Sequence, residues 1–247
     1  MSAERGAPAD TLPLDKAPSR IAGMFDAIAG RYDLLNRLLS GGLDQRWRRQ
    51  AIASLALSGS ERVLDVCAGT ADVALAAVRA RPGAARVVGV DFAGAMLARG
   101  RDKVAAAGLG GVVQLVRGDA MTLPVASGSV DAVTIAFGIR NVQGTDAALR
   151  DVLRVLRPGG RIAILEFGLP EAAWLRRLYE LYFLGVLPRV GRLVSRHGGA
   201  YSYLPQSVGA FPWGRDFTAR LEAAGFVAAA YRPLTLGIVY LYTARKP

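Results

Sequence analysis

Three aspartates follow short apolar runs: Asp65 within Arg62–Cys67, Asp91 after Arg86–Val90, and Asp119 after Val112–Arg117. The first lies in Asp65-Val66-Cys67-Ala68-Gly69-Thr70-Ala71-Asp72, where a buried strand passes through small residues into a helix. A helix that starts after such a turn offers backbone N–H groups and the positive end of its dipole to a ligand. Small residues let that ligand approach the backbone closely. The three-glycine dinucleotide pattern is absent, because only Gly69 is glycine here. Asp65 can bind a positively charged ligand end or cap turn N–H groups. Asp91 is placed to accept from ribose hydroxyls. Asp119, followed by Ala120, is placed beside an adenine ring and can accept from its exocyclic amine. Any one of these acids alone reads as a helix cap. Three at successive carboxyl ends of parallel strands read as a nucleotide site.

The elements that must position them alternate. Strands are predicted over 62–67, 86–90, 112–117, 130–137 and 161–167, with helices over 72–81, 93–107 and 145–156 between them. A helix over 215–224 and strands over 226–231 and 238–243 complete the set. Short apolar runs suit strands buried on both faces. The alternation predicts an α/β fold, a doubly wound, mostly parallel seven-stranded sheet. Residues 21–247 form one domain in this reading. Helical segments over 21–39 and 43–55 make an N-terminal cap (21–55), and residues 169–214 form an insertion that covers the site as a lid. Met1–Arg20, with Pro8, Pro13 and Pro18 among mixed charges, reads as a disordered lead-in without the apolar core of a signal peptide.

Composition removes several chemistries. Cys67 is the only cysteine and His197 the only histidine, so there is no intrachain disulfide and no Cys/His zinc set. No metal is expected. The 247 residues carry 31 Lys+Arg against 20 Asp+Glu, a net charge of +11, which points to an anionic partner. No apolar run approaches the ~18 residues of a membrane span. The expectation is a cytoplasmic protein, peripheral on the inner face of the cell membrane.

The D-x-x-x-G-T-x-D turn, the acidic end of the second strand, Gly118-Asp119-Ala120 and Leu156-Arg157-Pro158-Gly159-Gly160 together resemble the class I S-adenosylmethionine (SAM) methyltransferases. One departure is Ala71, where the turn usually ends in glycine. More specific segments lie outside the turn: Met24–Ser40 (MFDAIAGRYDLLNRLLS) with Trp47-Arg48, Phe137-Gly138-Ile139-Arg140-Asn141-Val142, Glu166-Phe167, and Tyr201-Ser202-Tyr203-Leu204-Pro205-Gln206-Ser207. With these the chain resembles the ubiquinone/menaquinone biosynthesis C-methyltransferase family over residues 24–247. The resemblance implies SAM as methyl donor and a polyprenyl quinol as substrate, demethylmenaquinol first and a methoxybenzoquinol as the alternative. It carries cofactor contacts onto Thr70, Asp91, Asp119 and Ala120. A hydroxyl usual at Ala136 is missing.

Methylation at carbon needs an electron-rich ring, and a quinol becomes nucleophilic ortho to a hydroxyl as that hydroxyl ionises. Arg140 is expected to stabilise the quinolate oxygen and Asn141 to hydrogen-bond it. Arginine is always charged and a poor base, so the proton goes to water or to another group, with Tyr32, Asp33, His197, Tyr201 and Tyr203 as candidates. A different class, a noncatalytic SAM-fold binding protein, stays open on Ala71 and Ala136.

The charge is densest at Trp174–Arg196, where Arg176, Arg177, Arg189, Arg192 and Arg196 face one acid, Glu180, among leucines and aromatics. That mixture suits a helix in an anionic membrane interface. Nucleic acid is not the expected partner, because the Asn/Asp-Pro-Pro-aromatic motif of base methylation is absent.

Overall fold

The computed structural model describes residues 15–80, 86–181 and 198–247. Seven strands form one sheet in the order β3-β2-β1-β4-β5-β7-β6. They are β1 (Arg62–Val66), β2 (Arg86–Asp91), β3 (Val113–Arg117), β4 (Val130–Ala136), β5 (Leu156–Phe167), β6 (Val227–Leu234) and β7 (Val239–Arg245). The first five run parallel, and β7 pairs antiparallel with both β5 and β6.

Alternate residues of the central strands enter two different cores. Leu64, Val133, Ile135, Ile162 and Ile164 meet α6 (Thr145–Val155) and a helix we label α9 (Arg215–Ala223). Val63, Ala132, Ala163 and Leu165 meet α3 (Leu43–Ser54) and α4 (Asp72–Ala80). This period-two split explains why both faces read as apolar in the sequence. Each fully buried valine, leucine or isoleucine among them contributes about 1.5–3 kcal/mol.

The remaining helices are α1 (Pro18–Ile28), α2 (Tyr32–Leu39), α5 (Gly94–Ala106), α7 (Ala173–Leu181) and α8 (Gly198–Ala210). The segment predicted as one helix over 21–39 starts earlier, at Pro18, and breaks at a 3₁₀ turn, Ala29–Arg31. Gly30 sits in that turn, where its low helix propensity lets the axis change. The fifth strand also starts earlier than expected. Leu156 already pairs with Val130, and the register then slips so that Ala132 pairs with Arg161.

Strand order reverses between β1 and β4, which leaves a crevice beyond their carboxyl ends. In open α/β sheets ligands bind at such a point. None of the described helices is long and apolar enough to cross a membrane.

Candidate active site

The turn after β1 is sharply bent. Cys67, Gly69 and Ala71 all have left-handed backbones, with φ of 57°, 53° and 66°. Asp91, at the end of β2, fixes the bend by accepting from Gly69 N and Ala93 N, each at 2.8 Å. Burial pushes the Asp91 carboxyl up, and these amides pull it back down. Asp119 accepts from Met121 N at 2.8 Å. Together Gly69, Asp91, Asp119, Ala120, Ala136 and Asn141 line a cavity of about 100 Å³. Small side chains keep it open. Burial and nearby carboxylates push the Cys67 thiol well up, so it stays protonated in this wall.

Two residues expected at the cofactor sit behind that wall. Asp65 is 1% exposed and accepts from Thr134 Oγ1 at 2.7 Å. Burial pushes its carboxyl up to about 7, against the pull of Thr134. Thr70 turns its hydroxyl to Asp33, donating at 2.6 Å, and accepts from Lys103 Nζ at 3.1 Å. Lys103 also pairs with Asp33 at 2.7 Å and with Asp72. Asp33 is therefore held in a polar knot that joins α2 to the turn and α5, and it lines neither cavity.

A second cavity, about 200 Å³, adjoins the first. Phe25, Tyr32 and Phe137 line both and form the partition. The second is largely apolar, with Trp47, Phe137 and Phe167 in its wall. Phe137 and Phe167 have ring centroids 4.6 Å apart, and Trp47 lies 6.0 Å from Phe137. Trp47 is anchored by its indole N–H, which donates to Thr235 at 2.8 Å.

Arg140 and Asn141 belong to one 3₁₀ turn, Ile139–Asn141, yet serve different cavities. Arg140 lines the apolar one and Asn141 the polar one. Both are buried. Arg140 donates to Glu166 Oε1 at 2.7 Å, to Ser207 Oγ at 3.3 Å and to Phe137 O at 2.5 Å. Its guanidinium carbon stands 5.4 Å from the Phe167 ring centre, a cation–π contact. Asn141 Oδ1 is buried with no hydrogen-bond partner among the described residues. Parallel pairing of Ala136 with Leu165 brings this turn beside Glu166. A side chain on Gly138 would overlap Cys67, so the turn closes only with glycine there.

Of the base candidates, Tyr32 sits in the partition and Tyr203 in the wall of the apolar cavity. Desolvation raises both phenols. The Tyr203 hydroxyl is buried without a hydrogen-bond partner among the described residues. Tyr201 falls in α8, but its side chain, like all of His197, lies outside the described residues.

Sequence reasoning named Glu166 and Ser207 without a role, and both hold Arg140. It missed Lys16, which was read as lead-in. Lys16 lines the polar cavity, and burial pushes its ammonium pKa down. Nothing in its neighbours Asp15 and Ala17 signals this position.

The fold is widespread among solved structures. The [4+2]-cyclase SpnF superposes with a TM-score of 0.72 at 19% identity, covering 96% of this chain and 99% of its own. A SAM-dependent methyltransferase from Thermotoga maritima, a possible histamine N-methyltransferase, gives 0.63 at 16%, covering 92% and 100%. At these identities the likeness shows the fold alone. The model of the ubiE/COQ5 methyltransferase family matches residues 14–246. The chain belongs to that family.

Relatives within the family agree along nearly their whole lengths. A ubiquinone/menaquinone biosynthesis C-methyltransferase of Geobacter sulfurreducens is 47% identical over 233 residues, 94% of this chain and 91% of the relative. A demethylmenaquinone methyltransferase of Thermus thermophilus is 47% identical over 224 residues, 91% and 100%. One from Mycobacterium sp. (strain KMS) is 44% identical over 95% and 97%. This ubiE/COQ5 enzyme is accordingly a SAM-dependent methyltransferase. The polar cavity fits SAM on its own chemistry. Its wall holds Asp91 and Asp119, carboxylates that can accept further bonds beside those from the backbone, and Asn141 Oδ1, which has no partner among the described residues, and the ligand brings hydroxyls and amines. Among the described residues no group of three His, Cys, Asp or Glu side chains could hold a metal ion.

Proposed function

We propose that the protein methylates a ring carbon of a polyprenyl quinol, demethylmenaquinol in menaquinone biosynthesis. The observation that carries this reading is the shared partition. A polar, acceptor-lined cavity and an apolar, aromatic-walled cavity meet across Phe25, Tyr32 and Phe137.

In this reading Asp91 accepts from the ribose hydroxyls of SAM, and Asp119 and Ala120 receive the adenine. Gly69 and Asn141 border the same ligand. Asp65 and Thr70 act one layer back, by holding the turn. When bound, SAM supplies an electrophilic methyl group on a sulfonium centre. The chain's own residues then have to orient the ring and hold negative charge on its oxygen. Trp47, Phe137 and Phe167 supply flat apolar walls for a bicyclic ring. Arg140 supplies a permanent positive charge whose direction is locked by Glu166, Ser207 and the Phe137 carbonyl. Tyr203 offers a buried hydroxyl with no other partner among the described residues. Because burial raises Tyr32 and Tyr203, both stay phenols and serve as hydrogen-bond donors. The hydroxyl proton of the quinol passes to water, and the hydrogen on the methylated ring carbon then leaves as a proton and returns through solvent to the ring oxygen, which restores the aromatic quinol.

The enzyme acts in the cytoplasm, in peripheral contact with an anionic membrane. The segment after β5 shares in that contact through α7. Of the five arginines expected there, Arg176 donates to Pro170 O and covers the Trp213 ring, so part of the charge is used inside the fold. Arg189, Arg192 and Arg196 lie outside the described residues.

The test is direct. Purified protein is given SAM and either reduced demethylmenaquinone or a reduced methoxybenzoquinone, and products are identified by mass spectrometry. Preferential methylation of the naphthoquinol is expected. Preference for the benzoquinol would move the enzyme to ubiquinone synthesis. SAM binding without methylation of either quinol would sink the reading and favour a binding protein.

A further inference from the structure

Helix α2 has two apolar faces. Tyr32, Leu35 and Leu39 line the apolar cavity. Leu34 and Leu38 point the other way and are 62% and 57% exposed. At 3.6 residues per turn those two leucines form one stripe, with Arg37 on its flank. Arg37 also lines a groove of about 630 Å³ between α3 and α4, together with Arg48, Arg49, Arg79 and Asp72. Arg48 is buried and paired with Asp44 and Asp72. Arg37, Arg49 and Arg79 are exposed, and among the described residues none makes an ion pair.

Across the cavity α7 repeats the arrangement. Tyr179 lines the cavity, while Trp174, Leu178 and Leu181 are 69%, 59% and 70% exposed along the opposite side. Leu39 of α2 packs in the same small cluster as Tyr179, so the two helices border one rim. Single exposed leucines need no explanation. Five large apolar side chains on the two helices that border one cavity form a surface that water does not favour.

We propose that the outer face of α2, with the arginine groove behind it, docks on an anionic phospholipid bilayer. Leu34 and Leu38 enter the boundary between headgroups and acyl chains. Arg37, Arg49 and Arg79 take the lipid phosphates, for which guanidinium geometry is suited. Charge complementarity and the leucine stripe together select lipid. A nucleic acid would use the arginines and leave the leucines in water. The purpose of the docking rests on the quinol reading, since it sets the mouth of the apolar cavity against the membrane. The binding itself does not depend on that reading. It places the arginines of the contact on α2, α3 and α4, across the cavity from α7.

The experiment is sedimentation of the full-length protein with phosphatidylcholine vesicles, with and without phosphatidylglycerol. Wild type is expected to bind the phosphatidylglycerol vesicles and to release as salt rises. Arg37→Glu/Arg49→Glu/Arg79→Glu should weaken that partition by about 100-fold or more. Leu34→Ser/Leu38→Ser should weaken it at every salt concentration. Arg215→Glu/Arg232→Glu/Arg245→Glu, three exposed positions on α9, β6 and β7, makes the same change in net charge and should alter the partition little. Methylation of a short-tailed, water-soluble quinol without vesicles should stay at the wild-type rate in every variant, which shows that they fold. If no quinol is methylated by any form, thermal melts replace that control and the vesicle result still decides. Wild-type partition of the triple charge reversal would overturn the proposal. So would equal loss in the Arg215→Glu/Arg232→Glu/Arg245→Glu control, or tighter retention of the protein on RNA than on the anionic vesicles.

Discussion

The Arg140 guanidinium donates to Glu166 Oε1 at 2.7 Å, and both side chains are closed off from solvent, at 6% and 0% exposure. Removing one member of a buried pair leaves the other charge without compensation, at about 3–5 kcal/mol. Glu166→Gln should therefore lower the melting temperature and turnover together. Because Arg140 faces the apolar cavity and Asn141 the polar one, their variants should separate. Arg140→Ala should lose turnover while calorimetry finds SAM affinity near wild type. Asn141→Ala should weaken SAM binding. Near-wild-type turnover in both would remove them from the chemistry.

Asp65 gives a pH signature. Burial holds its carboxyl at about 7, against an ordinary value of 3.8. The folded protein therefore keeps a proton that the unfolded chain releases between about pH 4 and 7. Where the native state binds more protons, stability falls as pH rises. The loss should build up across that window and be complete above about pH 7, with a size on the order of a few kcal/mol. Asp65→Asn keeps a bond to Thr134 and carries no charge. Urea titrations from pH 4 to 8 should show a shallower decline in this variant than in wild type. Parallel curves would mean that Asp65 titrates normally.

What could be read from the sequence follows from where each signal resides. Strands β1, β2, β4 and β5 were legible because a parallel strand covered on both faces is a continuous apolar run, whereas β3, at the sheet edge with Gln114, Val116 and Arg117 exposed, was legible from its place in the alternation. The acids at their carboxyl ends were legible because strand order puts those ends together. Asp91 and Asp119 line the polar cavity, as the strand-end argument requires. Asp65 does not, because its side chain stands on the same sheet face as Val63, under α4, and bonds to Thr134 on the neighbouring strand. The partnership of Arg140 with Glu166 depends on parallel pairing between β4 and β5, which no local pattern encodes. The orientation of Thr70 toward Asp33 spans 37 residues and joins a cap helix to the turn, so the family pattern could name Thr70 and still leave its partner unseen.

That same bond yields a test of how the cap is held. Asp33, Thr70, Lys103 and Asp72 form a partly exposed network, so its contribution is modest, about 1–2 kcal/mol after solvent screening. Lys103→Met leaves two carboxylates beside each other and should loosen α2 from the turn. Hydrogen exchange should rise in α2 and at residues 68–72, while the core strands stay protected. Thr70→Val should share the effect, and Thr70→Ser should restore it. A Thr70→Val variant with unchanged exchange but weakened SAM binding would place the hydroxyl on the cofactor instead.

Ala71 occupies a left-handed backbone position, φ 66°, where the turn usually carries glycine, and it is fully buried. Two opposing effects decide what Ala71→Gly does. Relief of the Cβ clash favours glycine by about 1–2 kcal/mol. Loss of a buried methyl costs about 0.8 kcal/mol, and the freer unfolded chain a further 0.4–1 kcal/mol. The methyl belongs to the core on the α3–α4 side and does not line the polar cavity. Ala71→Gly should therefore change unfolding free energy by less than about 1 kcal/mol and leave SAM affinity within a few-fold of wild type. Urea unfolding and calorimetry read the two quantities separately. A large gain in SAM affinity would show that the methyl group displaces the turn from its best contact with the cofactor.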